Sequence, residues 1–334
     1  MKPYYIFEDS DRNLIFDALQ SIKENPFHEY EKFSLTIDEL SNDNSLDLLR
    51  EICTTIRLER ESGKAKIHLL RNCPVDKIIP DLNSKNPIFD KHEKKKTFIG
   101  EGFLALFAKL TGTPLLSYAT RNNGDFFTDV VAIEKYSGMQ TGFSDSELFY
   151  HNDRTAHRVR ADFISLLGLR CPSDNLIYTG FIDGRDLLTH LSIENQFILR
   201  QPYFITPFDV FSKEANSRLD LSENHPILEH QHSFRYLDAV TCVAIDSPVQ
   251  AKDALISIKN AVVKVNKIRH KIINGDLLAF ANQDGLHNRE KIEVNDPQSV
   301  YMRWLLKTYS FRDEKTADYY ANEWVNKIHG CVGD

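Results

Sequence analysis

The chain has 334 residues, of which 42% are hydrophobic and 27% charged, and its formal net charge at pH 7 is −7. This is the composition of a globular protein with enough apolar residues for a large core. Because the net charge is negative, the chain offers no positive electrostatic potential that would attract a phosphate backbone. Nucleic acid is therefore not an expected partner. No apolar run approaches the ~18 residues of a membrane span, and the start of the chain is unlike a secretory leader. We therefore expect a cytoplasmic protein without membrane attachment.

The five cysteines are an odd number, and no two of them form a C-x-x-C pair. In a cytoplasmic protein this pattern indicates reduced thiols rather than a disulfide framework. A structural zinc site would need four closely arranged ligands, which these spacings do not offer.

The first third of the chain is mainly helical in pattern. Apolar residues recur at helical spacing and predict helices over residues 11–24, 45–61 and 98–110. A strand is predicted over residues 65–70. The polar, proline-containing segment 79–96 includes the charge run 91–96 and is predicted to be a surface loop.

After residue 112 short apolar runs separated by turn residues predict strands. These predicted strands cover residues 130–133, 147–150, 163–169, 176–181, 234–237, 240–245, 277–280 and 301–310. Helices are predicted over residues 185–191, 248–265 and 316–328. The irregular segment 195–232 is rich in aromatics, prolines and histidines, a composition typical of a lid or binding loop. The whole pattern favours an α+β protein with a closed or sandwiched antiparallel sheet and helices packed outside.

A His-x-Asp triplet, His151 to Asp153, ends one of the apolar runs. Residues i and i+2 of a strand point to the same face of the sheet. The side chains of His151 and Asp153 can therefore both point into the interior of a barrel, while Asn152 points away from it. Such a triplet is common by chance and gains weight only from a second group of residues.

The second group follows the turn and apolar strand of residues 275–282. His287 is predicted to lie in the polar loop 283–289, and Arg303 precedes the apolar Trp304 and Leu305. Arginine is rarely buried without a partner, and a dicarboxylate bound to a metal would supply one. Two imidazoles and one carboxylate form the ligand set of open non-haem Fe(II) centres.

The order His-x-Asp, distal His and Arg resembles the Fe(II)/2-oxoglutarate-dependent oxygenases. The contexts of residues 275–278 and 303–305 resemble the clavaminate synthase-like group, and residues 151–163 and 167–170 are similar to its bacterial free L-lysine hydroxylases. The resemblance implies Fe(2+) bound by His151, Asp153 and His287, with 2-oxoglutarate and O2 as cosubstrates. It also implies that Arg303 holds the distal carboxylate of 2-oxoglutarate.

The resemblance further implies a double-stranded β-helix, or jelly-roll, core. We expect one oxygenase domain over residues 1–334, with a helical N-terminal part at 1–112. The jelly-roll core would occupy residues 113–312 and include the lid insertion at 195–232. A C-terminal helix would occupy residues 313–334.

Several further residues are candidates for ligand contacts. Lys307 stands where arginine-acting relatives have an arginine for the substrate carboxylate, and Asn175 lies in the region where many relatives have a hydroxyl that bonds 2-oxoglutarate. Gln140 and Ser146 precede the ligand strand and could reach the α-amino or carboxylate end of the substrate. For a cationic substrate side chain, the candidate acidic partners are Glu229 and Asp238.

The expected reaction is hydroxylation of an unactivated C–H of a free L-amino acid, with L-lysine at C4 first and C3 next. L-Arginine, L-ornithine and L-asparagine are alternative substrates. A jelly-roll protein that binds a metal or an amino acid without turnover is the alternative outside enzymes, and a zinc hydrolase is a third. The partner is a small-molecule amino acid, and the oligomeric state, including a homo-oligomer, stays open.

Overall fold

Two facing β-sheets with helices on their outer sides form the protein, which confirms the predicted α+β class. The structure is a computed structural model and describes residues 1–215 and 220–333. The strands are β1 (Tyr5–Ile6), β2 (Ile67–Arg71), β3 (Leu115–Tyr118), β4 (Thr128–Val130), β5 (Leu148–His151), β6 (Phe163–Arg170), β7 (Asn175–Asp183), β8 (Phe204–Ile205), β9 (Cys242–Val243), β10 (Ile268–His270), β11 (Leu277–Ala281), β12 (Gly285–Val294), β13 (Trp304–Ser310) and β14 (Cys331–Val332). The helices are α1 (Asp9–Gln20), α2 (Tyr30–Leu40), α3 (Asp47–Glu61), α4 (Pro87–Lys94), α5 (Ile99–Leu110), α6 (Gly184–Leu188), α7 (Ile193–Leu199), α8 (Val210–Ala215), α9 (Val249–Lys264), α10 (Pro297–Met302) and α11 (Glu314–Tyr319).

The larger sheet has the strand order β1-β2-β11-β6-β13-β3-β14, with β4 also paired to β13, and the smaller sheet has the order β10-β7-β12-β5. Phe181 of the smaller sheet meets Phe280 of the larger one, with 5.8 Å between ring centroids. Both rings belong to one buried apolar cluster, which also contains Ile164, Leu278 and Leu305. The core between the sheets is therefore built from the inward side chains of alternating strand positions.

The N-terminal helices cover the outer face of the larger sheet. Helix α5 is apolar around most of its circumference, and its residues from Ile99 to Ala108 are all buried, as expected of a helix that is packed on every side. Helices α1, α3 and α5 confirm the sequence predictions within a few residues. Helix α2 was not predicted, although its two buried residues, Phe33 and Ile37, equal in number those of the predicted α1.

Helix α9 and part of the segment 195–232 together cover the smaller sheet. Leu199, Phe204, Ile227 and Leu228 are fully buried in the same cluster as Ile258 of α9. The prediction that this segment is irregular is wrong for α7, β8 and α8, because its apolar residues pack as core. Residues 216–219 of the segment lie outside the described part of the chain, and its role as a lid stays a prediction.

The charge run 91–96 is not a surface loop, and this prediction is wrong. Residues 91–94 belong to α4, and Lys91 and Lys95 are both buried. Lys91 donates to Asp129 at 2.7 Å, while Lys95 donates to Asp76 at 2.8 Å and to Glu101 at 2.6 Å. The sequence pattern missed this because each acidic partner lies outside the run.

Replacing Lys91 with methionine should lower the free energy of unfolding by about 3–5 kcal/mol. The change leaves the buried Asp129 carboxylate without its ammonium partner, although Trp304 Nε1 still donates to it at 2.8 Å. Urea titration followed by circular dichroism measures the effect. The matched control is Lys96→Met, because Lys96 is exposed and donates only to the Glu93 carbonyl; equal losses in the two variants would contradict the structural role of Lys91.

Three further predictions differ from the structure. His287 lies in β12 rather than in a polar loop, because this ten-residue strand has polar side chains at most positions and shows no apolar alternation. The predicted helix 316–328 is the short α11 followed by 3-10 turns. Strand β13 begins at Trp304, since residues before it form α10.

All five cysteines are free thiols, as predicted. Within residues 1–215 and 220–333, none of the helices has the length and apolar character needed to cross a bilayer.

Candidate metal centre and substrate pocket

The structure brings His151, Asp153 and His287 together. His151 ends β5, and its backbone pairs with that of His287 in the antiparallel partner β12. Asp153 Oδ1 lies 3.1 Å from His151 Nε2 and 3.5 Å from His287 Nε2. One ligand atom from each residue falls within 4.8 Å of the other two. The three predicted residues thus converge on one point between the sheets.

Both imidazoles are oriented by their surroundings. His151 Nδ1 donates to the carbonyl oxygen of Phe149 at 2.7 Å, so Nε2 is the ring nitrogen directed at Asp153. Metal-bound histidines in proteins are typically held in this way. The His287 ring packs on Phe280 with 4.9 Å between centroids, and its Nδ1 is buried without a hydrogen-bond partner. Nε2 of both histidines and Oδ1 of Asp153 face one another, and two nitrogen donors with one carboxylate oxygen fit a divalent metal ion.

Asp153 is held as an anion with one oxygen free for the centre. Its Oδ2 accepts hydrogen bonds from Tyr309 at 2.7 Å and from Lys307 at 3.0 Å. Burial opposes ionisation, but the Lys307 ammonium and the two histidines outweigh it and hold the pKa of Asp153 well below its usual range. Oδ1 therefore stays deprotonated on the side of the imidazoles.

Two asparagines join the distant sequence stretches into one rigid unit. Asn152 points away from the centre, as predicted, and its Nδ2 donates to the carbonyl oxygens of Asn282 and Gly285 (2.8 Å for Gly285). Its Oδ1 accepts from the Tyr236 backbone N–H at 2.8 Å. Asn282 Oδ1 in turn accepts from the Asp153 N–H at 2.8 Å. The turn that follows β11 is thereby tied to the His-x-Asp turn, and His287 lies five residues beyond Asn282.

Replacing Asn152 with alanine should lower the free energy of unfolding by about 2–4 kcal/mol, because three buried hydrogen-bonding groups lose their partner. It should also weaken metal binding, since the side chain fixes the relative position of the two ligand stretches. Denaturant titration and metal titration calorimetry measure the two effects. In the control Asn13→Ala, an exposed side chain is removed from α1, and both quantities should stay within error; a similarly silent Asn152→Ala would show that the brace is dispensable.

A cavity of about 240 Å³ opens beside the triad, between the two sheets. Its apolar wall includes Val130, Ile164, Leu166 and Phe280. Arg303, Leu305, Lys307 and Tyr309 also line it, so alternate positions from Arg303 through β13 point into the cavity. The predicted placement of Arg303 and Lys307 on one face of the chain is confirmed.

One end of the cavity carries two guanidinium groups. Arg289 donates to the carbonyl oxygens of Ser146, Gly142 and Thr141, which ties the loop before β5 to β12. Burial, with the charge of Arg303 adding to it, lowers the pKa of Arg289 to about 9. Burial also lowers the pKa of Arg303. In the described part of the chain no side-chain carboxylate lies within 4 Å of either guanidinium group, so this end can receive an anion.

A second cluster of charged residues lines the cavity and was not predicted from the sequence. Arg121 pairs with Asp209 at 2.8 Å, and Arg154 lies 3.9 Å from the same oxygen. The Arg154 guanidinium also covers the Tyr118 ring at 3.9 Å from its centroid. Arg154 follows Asp153 directly in the sequence and could have been noticed for that reason. Arg121 and Asp209 come from distant loops and carry no local signal.

Gln140 lines the cavity, and its contact with a substrate stays a prediction. Its Nε2 donates to the Glu147 carbonyl oxygen at 2.9 Å, and its Oε1 accepts from the Phe149 N–H at 3.0 Å. The side chain thus fixes the ligand strand. Lys307 lines the cavity as well, but it is hydrogen-bonded to Asp153 and Tyr309.

Four of the predicted contacts do not line this cavity. Ser146 Oγ donates to Asp145 at 3.2 Å. Asn175 shares a separate small cavity with Arg303, and its amide donates to Ser299 at 2.6 Å. Glu229 pairs with Arg160. Asp238 accepts from Tyr236 Oη at 2.5 Å and from Lys259 at 3.2 Å. Each of the four already has a local partner.

No protein-family model matches the chain. The L-asparagine oxygenase of Streptomyces coelicolor is 24% identical over 257 residues, which cover 76% of this chain and 73% of that protein. A solved structure of asparagine oxygenase with Fe(II), 2S,3S-3-hydroxyasparagine and succinate superposes with a TM-score of 0.79 at 20% identity, covering 99% of both chains. The non-heme iron oxygenase OrfP with Fe, succinate and (3S)-hydroxy-L-Arg gives a TM-score of 0.76 at 19% identity, covering 99% of this chain and 100% of that one. OrfP with Fe and alpha-ketoglutaric acid gives 0.76 at 18% identity over 98% and 99% of the two chains. The chain therefore shares the fold of these oxygenases.

Proposed function

We propose that the protein is an Fe(II)- and 2-oxoglutarate-dependent hydroxylase of a free L-amino acid. The observation that carries the proposal is the combination, in one cavity, of the His151–Asp153–His287 triad with Arg303, a cation that has no acidic side chain within ion-pair distance in the described residues. A protein that only binds a metal has no evident need for this arginine. The metal and cosubstrate named for the structural neighbours support the same assignment.

The three side chains of the triad would hold Fe(II) on one face. When bound, Fe(II) with 2-oxoglutarate and O2 supplies the oxidising power for C–H hydroxylation, with release of succinate and CO2. The protein supplies geometry: the Phe149 carbonyl fixes the His151 tautomer, and Lys307 and Tyr309 keep Asp153 ionised with Oδ1 toward the imidazoles.

Arg303 would pair with the distal carboxylate of 2-oxoglutarate, because a guanidinium group binds a carboxylate with two parallel hydrogen bonds. Arg289 would support this end indirectly by fixing the loop of residues 141–146. Gln140 and Lys307 stay candidates for the α-amino and α-carboxylate groups of the substrate. The apolar wall around Ile164 and Phe280 would exclude water from the reacting carbon.

The two facing sheets are consistent with a double-stranded β-helix core, which we take as the architecture of a single oxygenase domain. Strands β5, β12 and β13 contribute residues to the cavity, as does the segment at Thr206 to Asp209. That segment would then act as the lid over the substrate.

The relatives named for asparagine and for hydroxylated arginine support a free amino acid as substrate class. L-Lysine hydroxylation at C4, with C3 next, receives no such support. Glu229 and Asp238, the acids expected to bind the lysine ammonium, lie outside the cavity lining. L-Asparagine, L-arginine and L-ornithine are the alternatives to compare.

Anaerobic addition of Fe(II) and 2-oxoglutarate tests the proposal. We expect a weak visible charge-transfer band that amino acids perturb, and succinate formation after O2 is admitted. The variant His151→Ala should lose both signals. A chain that binds amino acids but turns over no 2-oxoglutarate with any of them would instead be a binding protein, and activity without O2 and 2-oxoglutarate would indicate a zinc hydrolase.

A further inference from the structure

We infer that the substrate amino acid carries a neutral or acidic side chain, and that the cavity selects against lysine, ornithine and arginine. The inference rests on the proposed function, because it concerns the second ligand of the same cavity. It comes from the balance of charge in the cavity lining, which the reaction class does not determine.

Cationic residues outnumber acidic ones in this lining. The described lining residues include five cations and two carboxylates; the cations are Arg121, Arg154, Arg289, Arg303 and Lys307, and the carboxylates are Asp153 and Asp209. Fe(II) and the 2-oxoglutarate dianion have opposite charges of equal size, so loading the centre leaves this surplus unchanged. The α-ammonium and α-carboxylate groups of a free amino acid cancel, so a neutral side chain leaves the surplus unchanged, an acidic side chain reduces it and a cationic side chain adds to it.

Both carboxylates of the lining are already engaged. Asp153 faces the two imidazoles with one oxygen and accepts from Lys307 and Tyr309 with the other. Asp209 lies between Arg121 at 2.8 Å and Arg154 at 3.9 Å. Binding a further cation at Asp209 would bring three positive groups around one carboxylate, and the repulsion between these groups would offset its attraction.

The neighbouring wall offers no replacement acid among the described residues. It consists of Pro207, Phe208, Leu237 and Val240 together with Thr206. Asp238 follows Leu237 in the chain, but its carboxylate is bonded to Tyr236 and Lys259 away from the cavity lining. An ammonium or guanidinium group placed here would lose its hydration without gaining a counterion. An amide or carboxylate meets no such penalty.

Amino acids of matched length test the inference on the full chain loaded with Fe(II) and 2-oxoglutarate. Asparagine and aspartate are compared with 2,4-diaminobutyrate, glutamine and glutamate with ornithine, 6-hydroxynorleucine with lysine, and citrulline with arginine. Perturbation of the anaerobic charge-transfer band gives affinity, and amino-acid-dependent succinate formation gives kcat/KM. At each length that supports turnover, we expect the neutral or acidic member to exceed its cationic partner at least about 100-fold in kcat/KM.

A cationic member that exceeds its matched partner at any length would overturn this inference and leave the proposed function intact. Absence of the Fe(II)–2-oxoglutarate band would overturn the proposed function itself, and the inference with it. The two failures are therefore distinguishable in one experiment.

A variant at the cavity rim gives a second test. Val240 lines the cavity but is 37% exposed, so a polar replacement should be tolerated by the fold. Val240→Asp adds the missing negative charge and should narrow the preference against the cationic members by about fivefold. The asparagine of Val240→Asn has nearly the same shape as aspartate but no charge. This variant should keep the preference of the parent chain for neutral or acidic over cationic amino acids. Equal preferences in the two variants would show that charge does not determine selectivity.

Discussion

Replacing Asp153 with asparagine should lower succinate formation at least about 1,000-fold. The amide has almost the same shape, but it removes the negative ligand between His151 and His287 and leaves the Lys307 ammonium without its counterion. Metal affinity should fall together with turnover, because the carboxylate supplies the charge that a divalent ion needs. Titration calorimetry with Fe(II) under anaerobic conditions and a succinate assay measure the two quantities.

Asp186→Asn is the matched control for this change, since Asp186 is exposed on α6 and distant in sequence from the centre. It should leave both metal affinity and turnover within about twofold of the parent chain. Circular dichroism separates a loss of metal binding from a loss of fold. A folded Asp153→Asn chain with normal Fe(II) affinity would remove this residue from the ligand set.

Local periodicity was sufficient to predict much of the candidate site. His151 and Asp153 were recognisable as an i, i+2 pair at the end of an apolar run, and Arg303 and Lys307 as residues of one face. Strand parity accounts for the direction of Lys307 in β13. Asp153 lies in the turn after β5 and Arg303 just before β13, so their positions depend on local backbone outside the strands. The pairing of His151 with His287 across β5 and β12 is a long-range contact, and it could be expected only from the order of the motifs.

The residues that sequence reasoning missed depend on contacts between distant segments. Asp209 is significant because Arg121 lies 2.8 Å from it, and the two are 88 positions apart. Lys91 has the sequence character of a solvated charge, yet it is buried against Asp129. Glu229 and Asp238 show the opposite error. Each was predicted to bind the substrate side chain, but Arg160 pairs with Glu229 and the Tyr236 hydroxyl donates to Asp238. Burial and pairing of charges are properties of the assembled fold.

Arg303 is the position at which stability and the proposed function make opposite demands. Burial lowers the pKa of its guanidinium group, and no described side-chain carboxylate lies within ion-pair distance. Arg303 is partly buried, and a partly buried charge without a counterion costs free energy in the folded state. An unpaired charge of this kind lowers the free energy of unfolding, and it is retained when a bound ligand supplies the counterion.

Arg303→Met should therefore leave the free energy of unfolding unchanged or raise it, while the KM for 2-oxoglutarate rises at least about 100-fold because a buried carboxylate contact is lost. Fe(II) affinity measured without 2-oxoglutarate should not change, since Arg303 contacts none of the three metal ligands in the described hydrogen bonds and ion pairs. Denaturant titration, metal titration calorimetry and the dependence of succinate formation on 2-oxoglutarate give the three quantities.

Arg158→Met is the control, because Arg158 is 74% exposed and pairs only with Glu323 at the surface; it should leave the KM unaltered. A destabilised Arg303→Met chain with a normal KM would mean that the arginine is a structural residue and that another group binds the cosubstrate.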